Sequence, residues 1–93
     1  MFKPREIKKV NKIFKSLGNE RRLKILSLLL TEGSMSVSDV SEKLNLSLKS
    51  TSKHLIILDR AGFVESKQVG LSRIYDIDDE VRELLTFFFK SFT

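Results

Sequence analysis

Cysteine is absent from these 93 residues, tryptophan is absent too, and histidine, proline and tyrosine occur once each. Without thiols there are no disulfide staples, no thiol catalysis and no thiolate metal site, a composition compatible with a cytoplasmic protein. One histidine among scattered hydroxyls makes no Ser/His/Asp set. Four glycines form no phosphate-cradling loop, so an enzyme is the least expected reading. No run of 18 apolar residues exists to cross a membrane, and Met1-Phe2-Lys3-Pro4-Arg5 lacks the apolar core of a secretory signal. Repeats, low-complexity tracts and linkers are also missing. With 41% hydrophobic residues, the expectation is one small domain over 1–93 with a real but marginal core.

What the chain does have is positive charge, and it is unevenly placed. The net charge is +5, yet residues 1–24 hold nine Lys/Arg against two Glu, whereas residues 25–93 hold eight against ten. A polyanionic partner is the expected consequence. The excess sits on a first helix from about Pro4 to Leu17. There Ile7, Val10, Ile13, Phe14 and Leu17 share one side and lysines the other, either as a solvated face or as phosphate contacts. Gly18-Asn19 breaks it, and Asn19 can cap a second helix from Glu20 to about Thr31. That helix is apolar nearly all round, which predicts the buried centre of the fold.

Two further helices follow in tandem. Ser36, with Asp39 three residues on, reads as a capped start; Val37, Val40 and Leu44 then form one apolar stripe, and Asn45 suits a left-handed stop. Ser47 caps the next helix, Leu48 to about Ala61, with Thr51, Leu55, Leu58 and Ala61 inward and Gly62 as the stop. Its opposite face carries Lys49, Ser50, Ser52 and Lys53, the short hydroxyls and long cations that approach base edges and phosphates closely. The period then changes from 3.6 to 2. Phe63–Val69 and Arg73–Ile77 read as strands joined by Gly70-Leu71-Ser72, with Lys67 and Arg73 flanking the tip.

A last helix begins near Asp78-Asp79-Glu80, whose carboxylates suit a helix N-terminus, and runs to the end of the chain. Four of the seven Phe residues lie in the last seven positions, more than a small domain covers easily. Ile7, Val10 and Phe14 of the first helix, with Leu84, Phe87, Phe88 and Phe92 of the last, are therefore the candidate surface of a homodimer. The fold expected is mainly α with a small β-wing, a winged helix-turn-helix in the order ααααββα.

Lys15-Ser-Leu-Gly-Asn-Glu-Arg-Arg-Leu-Lys-Ile-Leu-Ser-Leu-Leu29 resembles the second-helix signature of the ArsR-type winged-helix regulators. Ser36–Ser47 resembles their first motif helix and turn, and Ser52–Val64 their second helix and its exit into the wing. With Arg73-Ile74-Tyr75 the resemblance covers most of the chain. It implies a homodimer, joined through the first and last helices, that represses transcription at an inverted-repeat operator in double-stranded DNA. The candidate DNA-binding set read from the helix face and the hairpin is Lys49, Ser50, Ser52 and Lys53 on the helix, with Lys67, Gly70, Ser72 and Arg73 on the wing, and the resemblance adds His54. His54 occupies the family's position in that helix, either donating to a phosphate or satisfying a group inside the fold. The family includes metal sensors, and here the sequence departs. Ser36-Val37-Ser38 stands where thiolate sensors place Cys-Val-Cys, and Glu80 and Glu83 have no histidine beside them. Asp76, Asp78, Asp79 and Glu80 accordingly read as capping and solvation; no metal and no cofactor is expected, and an inducer is unassigned. A protein-interaction module, whose Phe-rich end binds a different protein, and a non-specific DNA binder stay open as alternatives.

Overall fold

Asn19, Ser36 and Ser47 each accept a hydrogen bond from the backbone N–H three residues on, at 3.1, 3.1 and 3.0 Å, and so fix where three helices begin. In the computed structural model, which describes all residues from Met1 to Thr93, the elements are α1 (Pro4–Leu17), α2 (Glu20–Glu32), β1 (Met35–Ser36), α3 (Val37–Leu44), α4 (Leu48–Arg60), β2 (Val64–Val69), β3 (Ser72–Ile77) and α5 (Arg82–Ser91). Five helices with a β-hairpin make a winged helix-turn-helix of the α+β class, as the pattern predicts. No helix is long and apolar enough to cross a membrane.

The ends of the helix pair are as sharply set as the starts. Asn45 adopts the left-handed conformation (φ 54°), while the Asn45 and Leu46 N–H groups donate to the Glu42 and Ser41 carbonyls. Gly62 does the same after α4 with φ 86°; the Gly62 N–H reaches the Asp59 carbonyl and the Phe63 N–H the Leu58 carbonyl. These paired bonds close a helix and aim the chain away from it. Phe63 and Leu58 are both buried, so the exit into the wing is held by packing as well.

The core joins Ile25, Leu26 and Leu29 of α2 to Val40, Leu55 and Leu58 of α3 and α4, and to Phe63, Val64, Tyr75, Ile77 and Leu85. Thr51 is buried among them because its hydroxyl donates to the Ser47 carbonyl at 2.9 Å. The second helix is less enclosed than its composition predicts: Leu28 and Leu30 are half-buried and Leu23 is exposed. Only one side of α2 is covered, and Leu23 is left facing a hollow beside α5.

The sheet adds to the expected hairpin. Met35 and Ser36 pair with Tyr75 and Ile74, giving a three-stranded antiparallel order β1-β3-β2 that ties the front of α3 to the wing. The hairpin loop is shorter than Gly70-Leu71-Ser72. Ser72 pairs with Val69, leaving Gly70 and Leu71, and only Gly70 has positive φ (61°), the arrangement of a type II′ turn. Residues 78–81 are a turn, not the first turn of the last helix: Asp78 Oδ1 accepts the Glu80 N–H at 3.0 Å and its carbonyl the Val81 N–H at 3.1 Å. Asp76 has a different task from solvation. It accepts from the Ser34 hydroxyl at 2.9 Å and pairs with Arg82 at 3.4 Å, fastening the start of α5 to the sheet.

Candidate nucleic-acid interface

The inward stripe of α4 (Thr51, Leu55, Leu58) determines what its other face can do. At about 100° per residue, Lys49, Lys53 and Arg60 fall on the side opposite that stripe, and all three are exposed. Ser50 and Ser52 flank the lysines and are half-buried. Ser47 holds the first turn, so the two lysines and two hydroxyls project from a rigid helix end. Neither lysine is paired with a carboxylate.

His54 is built into the fold from one nitrogen. Its Nδ1 lies 3.3 Å from Arg22 NH1, and a guanidinium can only donate, so Nδ1 accepts and the proton resides on Nε2. Arg22 also donates its Nε to the Ser16 carbonyl at 2.6 Å and NH2 to the Lys15 carbonyl at 3.4 Å, joining the end of α1 to α2 and α4. Desolvation first, then the charges of Arg22 and Arg21, lower the His54 pKa below its ordinary 6.5. The neutral ring is thus the folded form at pH 7. Its contribution to stability is fully present above pH 6.5 and is lost as pH falls through the lowered folded-state value, because the unfolded chain takes up the proton first. An NMR titration will place the imidazole midpoint below 6.5. Arg22→Ala will move it only part of the way back, since desolvation, the larger cause, remains; a midpoint at or above 6.5 in the intact protein contradicts the arrangement.

On the wing, Gly70, Leu71 and Ser72 form the exposed tip, and the Gln68 amide donates to the Gly70 carbonyl at 3.1 Å. Lys67 and Arg73 are exposed but are not brought together. Arg73 sits opposite Gln68, on the face that Val64, Tyr75 and Ile77 turn to the core, and its guanidinium donates to Ser66 Oγ at 2.8 Å. Lys67 sits opposite Ile74 on the other face, in a shallow groove with Glu65 and Asp76, whose carboxylates offset its charge. A three-residue loop would have put both cations on one face; the two-residue loop shifts the register by one and separates them.

The apolar residues of the terminal helices stay uncovered. Ile7, Val10 and Phe14 are 54, 49 and 54% exposed, and Leu84, Phe87 and Phe92 are 49, 64 and 84% exposed, while Phe88 is half-buried. Phe14, Phe88 and Phe92 converge with Leu17, Leu23 and Leu85 on an apolar hollow of about 470 Å³. Ile7 and Val10 continue along α1, whereas Phe87 lines a separate groove on the outer side of α5 with Arg82 and Lys90. Leu23 and Leu85 were not legible as part of this surface; each belongs to a helix whose inward residues look alike in sequence.

Residues 19–66, from the cap of α2 into the wing, match the model of the bacterial regulatory protein arsR family. The chain belongs to the ArsR family. Relatives of this ArsR-family protein include an HTH-type transcriptional regulator of Methanocaldococcus jannaschii, 40% identical over 78 residues that cover 83% of this chain and 88% of that one. The transcriptional activator HlyU of Vibrio cholerae is 35% identical over 74 residues, covering 78 and 68%. Among solved structures, the homodimeric winged helix-turn-helix DNA-binding domain of a possible ArsR-family regulator from Mycobacterium bovis superposes with a TM-score of 0.83. It is 30% identical, with 94% of this chain and 83% of that one covered. This ArsR-family protein is a DNA-binding transcriptional regulator and not an enzyme.

Proposed function

We propose that residues 1–93 act as one winged-helix unit and that two copies form a homodimer through α1 and α5, repressing transcription at an inverted-repeat operator. The observation that carries this is the division of the surface. One part of the surface presents the unpaired Lys49 and Lys53 on a capped helix, and another presents the exposed Ile7, Val10 and Phe14, with Phe14 beside Phe88 and Phe92. Covering the apolar part with a second copy sets two α4 helices on successive major grooves, about 34 Å apart on one duplex face. The homodimeric relative from Mycobacterium bovis supports the pairing.

Lys49, Ser50, Ser52 and Lys53 contact the groove and adjacent phosphates in this reading, with His54 offering Nε2–H. Arg73 and the Gly70–Ser72 tip reach the flanking backbone, and Lys67 contributes less because Glu65 and Asp76 share its groove. Repression needs only occupancy of promoter DNA. Activation, the role named for the Vibrio cholerae relative, needs a further contact or a DNA rearrangement on top of it.

Fluorescence anisotropy against duplex from upstream of its own gene, with scrambled competitor at two salt concentrations, tests the reading. Binding that survives competitor, with two chains per site, is the expected result, and a promoter reporter will fall when the protein is supplied. Binding that vanishes with competitor overturns sequence-specific recognition, and a reporter that rises overturns repression.

A further inference from the structure

Between α1, the start of α2 and the last turn of α4 lies a groove of about 650 Å³ into which Lys9, Lys12, Lys15, Arg22 and Arg60 converge. Ile13 and Ile57 form its apolar floor, and no carboxylate lines it. The chain's ion pairs are Lys24 with Glu20 and Arg82 with Asp76 and Asp79, so all five cations lack an acidic partner. On α1 alone, Lys9, Lys12 and Lys15 repeat at three-residue spacing, and like charges so placed cost helix stability. An anion in the groove relieves that repulsion.

The two surfaces already assigned do not use this groove. On α1, Ile7, Val10 and Phe14 fall on one side and Lys12 falls on nearly the opposite one, with Lys9 and Lys15 on the flanks between them, so a second copy on the apolar stripe leaves Lys12 open. Arg60 lies eleven residues, about 16 Å of helix rise, from Lys49 at the reading end of α4. The groove is also concave with an apolar floor, which a hydrated duplex backbone does not need.

We propose that this groove binds a small anion bearing two or more phosphate groups, its apolar part resting on Ile13 and Ile57. This goes beyond the operator reading and does not depend on it. The groove has a built-in connection to α4. Arg22 lines it and at the same time holds His54 Nδ1 at 3.3 Å, so an anion drawn to that guanidinium acts one contact away from the imidazole of the reading helix.

The test is calorimetric titration of the full chain with sodium tripolyphosphate in buffers matched for ionic strength with sodium chloride. Saturable binding of one tripolyphosphate per chain is expected, together with a shift of the His54 imidazole resonances that saturates at the same concentration. Lys12→Ala/Arg60→Ala, two exposed and unpaired positions, will keep its helical circular dichroism and bind at least tenfold more weakly. Lys49→Ala/Lys53→Ala will bind as the parent does. No saturable heat beyond the chloride control overturns the proposal. Equal loss in Lys49→Ala/Lys53→Ala overturns it as well, because the anion is then imitating DNA at the reading end. If Lys12→Ala/Arg60→Ala keeps tripolyphosphate binding and lowers the salt slope for duplex by about two, these cations serve the operator flank and the small-anion site is wrong.

Discussion

Replacing Phe14 with Glu will leave a folded monomer that no longer holds its operator tightly. Phe14 is 54% exposed in the single chain, so the fold tolerates a charge there. In the proposed dimer the same position lies in the apolar seam beside Phe88 and Phe92, and an unpaired carboxylate buried in that seam is strongly unfavourable. The two α4 helices then lose their common anchor. Binding two half-sites through one rigid dimer makes the second contact intramolecular, and losing that advantage lowers affinity by about 10²–10⁴-fold. Sedimentation velocity and anisotropy on the same samples check both halves of the expectation. A variant that stays dimeric while losing DNA binding contradicts the placement of the seam. One that becomes monomeric with full affinity contradicts the need for two copies.

The features legible in the sequence are those set within a few residues. Asn19, Ser36 and Ser47 cap helices because an oxygen three positions before a free N–H needs no knowledge of the rest of the fold, and Asn45 and Gly62 stop helices by their own backbone freedom. The core of α4 was equally readable, since Thr51, Leu55 and Leu58 keep helical spacing. What escaped depends on distant partners or on a single residue of register. β1 is two residues long and exists only because β3 passes beside Met35. The start of α5 moved from Asp78 to Arg82 because Asp78 spends its carboxylate and carbonyl on a turn. Composition alone could not tell that Arg22 turns inward, since its partner His54 is 32 residues away and reached only when α2 crosses α4. The faces of the wing were not legible either: Lys67 and Arg73 flank the tip as expected, but a loop of two residues instead of three places them on opposite faces.

With Lys67 and Arg73 on opposite faces, the proposed reading of the duplex rests chiefly on α4, which sharpens what Lys49 and Lys53 are expected to do. Both lie on the outward face of one capped helix, four residues apart and about 6 Å along its axis, without a competing carboxylate. A lysine reading a base edge and a lysine holding a phosphate leave different signatures when removed. The first costs about 1–3 kcal/mol on the cognate operator and relaxes preference at one base pair; the second weakens all sequences alike and lowers the salt slope by about one. Lys49→Ala and Lys53→Ala, each titrated against operator and scrambled duplex at several salt concentrations, will therefore each lose affinity in one of these two ways. The double variant will lose nearly the sum if the two lysines act on separate groups of the DNA, and clearly less if they share one. Because both side chains are exposed and unpaired in the free protein, no loss of folding stability accompanies the substitutions, and denaturant midpoints will match the parent. Full affinity in both single variants would show that the outward face of α4 does not read the duplex, leaving Arg73 and the loop tip as the remaining route to the DNA.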